Sequence, residues 1–116
     1  MQRARFDRLV EDVRRSLPRR FKKLIENVAF QVDDWHPDSP HILGIYHGVP
    51  YQHRGPYYGN VPPDVIVIYQ KAIERISADE NEVRKKIREV VLHEVAHYFG
   101  FSEAHLREIE SDNQDE

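Results

Sequence analysis

The sequence predicts a mixed α+β chain. Two blocks of helical periodicity, at residues 6–28 and 79–100, enclose three short apolar segments that are β-branched or alternate along the chain. At 116 residues, with 40% hydrophobic and 32% charged side chains, the chain is expected to form one globular domain across 1–116. Two independent cores would not fit.

The elements follow in order. Phe6, Leu9, Val10, Val13 and Leu17 recur at helical spacing with charges between them. Pro18 interrupts this pattern and suits the first turn of a second short helix, carried by Phe21, Leu24, Ile25 and Val28. Val28 to Val32 alternates and predicts a strand, and the turn-rich stretch from Asp33 to Pro40 closes it. Ile42 to Val49 predicts a second strand. Pro50 to Pro63, rich in Pro, Gly and Tyr, reads as a long loop, and loops of that length in small domains are usually functional or mobile. Asp64 to Tyr69 is the third strand, and Lys71 to Ile76 a short helix. Asp79 then caps one long helix defined by Val83, Ile87, Val90, Val91, Val95 and Phe99, which ends near Gly100. Ser102 can cap a last helix from Glu103 to about Glu110, with residues 111–116 expected to fray.

Composition excludes several classes of function. With no cysteine there are no disulfides, thiolate metal sites or cysteine nucleophiles. No segment approaches the roughly 18 apolar residues that span a bilayer, and no signal peptide is evident, so a cytoplasmic protein without membrane contact is expected. The net charge of −3 gives no global attraction to nucleic acid. Nine Lys/Arg fall within residues 1–23, and six acids within 103–116. A basic arm can bind phosphates, but solvated helix faces and an acidic tail are the favoured explanation, so nucleic acid is not the expected partner.

Chemistry concentrates on the long helix, where His93, Glu94, Val95, Ala96 and His97 spell H-E-x-x-H. Side chains four apart on a helix stand one above the other, so two imidazoles can bind one metal ion from the same side. Glu94 lies three before His97 and shares that face, close enough to take a proton from a metal-bound water without being a ligand itself. Burying His and Glu among the apolar neighbours Val90, Val91, Leu92 and Phe99 without partners would cost free energy, which argues against an idle polar stripe. Gly100 follows His97 by three, and Glu103 follows Gly100 by three. A glycine at positive φ lets the helix stop and the chain swing back, bringing an oxygen ligand towards the metal. Glu103 is also well placed as an acid at the start of the last helix, where the dipole favours it. His105 is the rival third ligand, and Glu108 and Glu110 rank below it.

The run His93-Glu94-x-x-His97-x-x-Gly100-x-x-Glu103 resembles the zincin metallopeptidases whose third ligand follows a glycine turn. That ligand is His in metzincins and Asp in the aspzincin-like variant, whereas Glu103 takes the place here. The lone methionine, Met1, means that the chain lacks the Met-turn of metzincins. Most of residues 15–110 is similar to the small bacterial minimal zincin-like family. The likeness is carried by Leu17-Pro18 and Phe21, by Leu43 to Pro50, by Pro63 to Tyr69 and by His93 to Leu106. The resemblance implies an α+β fold with a small mixed sheet packed on a long active-site helix. It also implies Zn2+ as the cofactor, held by His93, His97 and Glu103, and a peptide or protein substrate.

On that reading Glu94 is the general base of a zinc-dependent endopeptidase, and a tyrosine or histidine stabilises the oxyanion. Tyr51, His53, Arg54, Tyr57 and Tyr58 are all suitable types, and nothing in the sequence chooses among them. The substrate would lie along a sheet edge as an added strand, at Asp64–Tyr69 or Ile42–Val49. His36, His41 and His47 are expected to be exposed rather than a second metal site. The alternative function is a metal-binding regulatory module without turnover. Oligomeric state is not readable from the sequence.

Overall fold

The structure is a computed structural model and describes residues 1–48, 63–102 and 104–108. Helix α1 (Arg3–Ser16) buries Phe6, Leu9, Val10 and Val13 and turns its charges outward, as the spacing predicts. Leu17 leaves the helix in extended conformation, as a residue before proline must. Pro18 stands at the N-cap of α2 (Arg19–Leu24), one position before the expected first turn, and its carbonyl accepts the Lys22 N–H at 3.0 Å.

Three strands follow: β1 (Val28–Asp33), β2 (Gly44–His47) and β3 (Asp64–Tyr69). They form one mixed sheet in the order β1-β3-β2. β3 pairs in parallel with β1, Phe30 opposite Ile66, and antiparallel with β2, Tyr46 opposite Ile66. β3 is therefore the central strand, and both its edges are used. That removes Asp64–Tyr69 as a place for a substrate strand and leaves β2. β2 is shorter than expected and begins at Gly44, although the Leu43 carbonyl still accepts the Tyr69 N–H at 2.9 Å.

β3 is apolar on both faces because both are covered. Ile66 and Ile68 enter the main core with Phe6, Phe21, Ile87 and Val91, while Val67 and Tyr69 pack with Ala72, Ile42 and Ile45 on the other side. Two side chains of α1 reach β1. The Arg3 guanidinium donates to the Val32 carbonyl at 2.9 Å, and Arg14 stands 4.7 Å over the Phe30 ring. Helix α3 (Gln70–Arg75) continues directly from β3.

Helix α4 (Glu80–Phe99) has defined ends. Asp79 Oδ1 accepts the Glu82 N–H at 2.9 Å, and the Glu82 carboxylate accepts the Ala78 N–H at 2.9 Å, so orphan donors at the start are satisfied. At the other end Gly100 takes φ 76°. The Phe101 N–H donates to the Ala96 carbonyl at 2.7 Å and the Gly100 N–H to that of His97 at 3.3 Å. This is a Schellman motif, which stops the helix and turns the chain back. Phe101 then meets Phe21 edge-on at 6.0 Å. Ser102 caps the next turn, its hydroxyl accepting the His105 N–H at 3.1 Å, and residues 104–108 are helical. The sheet, helix and caps make the architecture α+β, as expected. Among the described residues no helix is long and apolar enough to cross a membrane.

Candidate functional site

β2 lies along α4 in the same direction as the helix. At one end Gly44 touches Val90, and a Cβ there would collide with the Val90 side chain and stand 3.0 Å from the Val67 carbonyl oxygen. At the other end Gly48 rests on the Tyr98 ring, where a Cβ would also collide. Two residues without side chains thus let an edge strand sit directly on the helix that carries H-E-x-x-H.

Val90, Glu94 and Tyr98 repeat every four residues, which places them on one face of α4. Beside that face a groove of about 310 Å³ opens between the strand and the helix. Ile42, Leu43 and Gly44 form one wall, and Glu89, Val90, His93 and Glu94 the other. His93 and His97 stand one turn apart and are exposed, and among the described residues neither imidazole has a hydrogen bond or ion pair. Glu94 is half-buried between them. Burial pushes its carboxyl above the ordinary carboxylate range, while the nearby His97 and His93 pull it back down.

The other expected residues are placed as follows. Glu103, Glu110 and the loop residues Tyr51, His53, Arg54, Tyr57 and Tyr58 lie outside the described residues. The His105 ring packs edge-on against Phe101 with centroids 4.7 Å apart, and Glu108 is exposed. Among the described residues no three His, Asp or Glu side chains converge to hold a metal. His41 and His47 are exposed, as expected. His36 differs, being half-buried against Tyr69 with ring centroids 5.4 Å apart and its Nδ1 accepting the Asp38 N–H.

Sequence reasoning passed over Tyr98. Its ring stacks on Tyr46 at 4.0 Å with 21° between planes, and Phe99 stands edge-on to it at 5.1 Å. The Tyr46 hydroxyl in turn donates to Asp64 at 2.8 Å. These rings hold the far end of β2 on α4. The signal was the four-residue step from Glu94, which puts Tyr98 on the face that carries the acid.

No curated protein matches the chain. Among solved structures it is similar to a conserved hypothetical protein from Thermo thermophilus, with 20% identity and a TM-score of 0.56. That likeness covers 85% of this chain and 94% of the other, and it shows a shared fold. The sequence profile of the zincin-like metallopeptidase family matches residues 25–113, a span that takes in the whole sheet, the long helix and its glycine stop. On that match the chain belongs to the zincin-like metallopeptidase family.

Proposed function

We propose that the protein is a zinc-dependent endopeptidase in which His93, His97 and Glu103 hold the metal and Glu94 is the general base. One observation carries this reading: a half-buried carboxylate, Glu94, stands beside two exposed imidazoles, His93 and His97, on one helix, with Glu94 and His93 in the wall of a groove beside β2. The donor set fits zinc. Two imidazoles a turn apart are the nitrogen pair that such sites use, and the family match supports zinc in general terms.

Zinc bound there would lower the pKa of a bound water and polarise the scissile carbonyl. The chain's own residues would do the rest. Partial burial raises the Glu94 carboxyl above its ordinary range, and from its place beside the two imidazoles it would take a proton from the water and return it to the leaving amine. The outer edge of β2 would receive the peptide as an added strand, with main-chain hydrogen bonds setting its height above the helix. Gly44 and Gly48 keep that strand low over Glu94. The working compartment in this proposal is the cytoplasm.

Metal analysis of purified protein tests the centre. About one zinc per chain is expected in the wild type, with loss in His93→Ala, His97→Ala and Glu103→Ala. If none of the three lowers zinc content, the centre is elsewhere; if His105→Ala alone does so, the third ligand is His105. Cleavage of an unstructured protein then tests turnover. Zinc retained by a wild type whose cleavage is no greater than that of Glu94→Gln would leave a metal-binding module instead.

A further inference from the structure

Among the described residues, the groove over α4 has one ionisable side chain in its lining apart from the H-E-x-x-H residues, Glu89. Glu89 sits one helical turn before His93, on the same side of the helix. Its one ion-pair partner among the described residues is Lys86, whose Nζ stands 3.6 Å from Glu89 Oε2. Both side chains are well exposed, at 34% and 46%, and such helix pairs are worth little in water. Among the described residues Lys86 does not line the groove, whereas Glu89 does. The opposite wall is different in kind. Ile42 and Leu43 are apolar and half-buried, and Val90 on the helix wall beside Glu89 adds a third apolar surface. Apolar surfaces next to a carboxylate match an aliphatic stem carrying a cation, the shape of lysine or arginine.

We infer that Glu89 is a specificity determinant that makes the groove select peptides with a lysine or arginine close to the cleaved bond. The inference rests on reading the groove as the peptide-binding face of a peptidase. Spacing sets how close. One helical turn is about 5.4 Å, and an extended peptide advances about 3.3 Å per residue. The side chain that reaches Glu89 therefore belongs to a residue within about two positions of the bond held at Glu94. Glutamate in the same place would be repelled by Glu89, and a neutral aliphatic residue would gain only the apolar walls.

Peptide binding tests this without requiring turnover. The probes are short fluorescein-labelled Ala/Leu peptides with one central lysine, norleucine or glutamate, titrated by anisotropy into zinc-loaded Glu94→Gln protein. The lysine peptide should bind roughly fivefold tighter than the norleucine peptide, the upper range for an exposed ion pair, and the glutamate peptide weakest. The preference should shrink as salt screens the pair. It should vanish when Glu89→Gln is added and turn towards the glutamate peptide in Glu89→Lys. Equal binding of lysine and norleucine peptides, a preference that survives Glu89→Gln, or no binding of any probe would overturn the inference. The peptidase reading stands or falls separately, on whether the wild type cleaves the unlabelled peptides and Glu94→Gln does not. A protein that cleaves lysine and norleucine peptides equally well would keep that reading and lose this one.

Discussion

Substituting Gly44 by alanine measures how tightly the edge strand must sit on the helix. The backbone at Gly44 is not in the left-handed region, so the cost of a methyl group is steric. The added Cβ would collide with Val90 Cγ1 and lie 3.0 Å from the Val67 oxygen. Overpacking of this kind costs about 1–3 kcal/mol. Val90 is 8% exposed, and Val90→Ala alone should cost about 2 kcal/mol through the lost methyls and the space left behind. Independent effects would sum to about 3–5 kcal/mol in the double variant. The double variant should instead fall short of that sum by about 1 kcal/mol, because the clashing methyl is gone while the Val67 oxygen remains. Urea denaturation of the four proteins yields the coupling energy. Gly44→Ala should also lower peptide cleavage beyond its effect on the folded fraction, because β2 is lifted from Glu94. Strict additivity, with cleavage unchanged per folded molecule, would refute the close seating of β2 on α4.

Other outcomes are expected from the same structure. Gly100→Ala meets no atom within 4 Å, so its cost is backbone strain alone, about 1–2 kcal/mol, and a thermal melt should show a fall of several degrees. The Arg5 guanidinium pairs with Glu80 and holds that carboxyl below its ordinary value of 4.5, first through the hydrogen bond. A depressed carboxyl stabilises the fold above its unfolded pKa and loses that effect as pH falls through the folded value. Glu80→Gln should therefore be slightly less stable than wild type at pH 7 in low salt and equal to it in acid, as a pH series of urea melts will show. Tyr98→Ala removes the ring stacked on Tyr46, and hydrogen exchange of the Tyr46 and His47 amides should then speed up. Chelation of the zinc-loaded protein should abolish cleavage and should lower the melting temperature, since metal bound to the folded state alone stabilises it.

Local signals were legible where a residue acts on its own segment. Asp79 and Gly100 bounded α4 because capping and left-handed backbone are properties of single residues. The H-E-x-x-H spacing placed His93, Glu94 and His97 together because a helix turns that spacing into a shared face. Strand order was not legible in the same way, because it depends on which partners meet. Ile42 and Leu43 looked like strand but line the groove ahead of β2, and only Gly44 onward runs in register with β3. The unbroken apolar run Val65–Tyr69 fits a strand covered on both faces, which loses the usual alternation, yet the sequence offered that strand as a sheet edge and the structure makes it central. Tyr98 and Glu89 needed three dimensions. Each is an ordinary helix residue until β2 is laid beside it.

The position of β3 has a consequence for how the chain acquires its structure. β1 and β2 precede it in sequence and touch it on opposite sides, so neither has a strand partner among the described residues until residue 64 is available. Among the described strands, the sheet therefore forms around its last one. The parallel β1–β3 pair joins residues 36 apart in register, Val28 with Asp64, and closing so long a loop before any strand contact compensates for it favours slow, all-or-none assembly. α4 follows after α3, and it completes the groove together with β2. The site is thus assembled late, from parts that have no fixed relation to one another in the nascent chain.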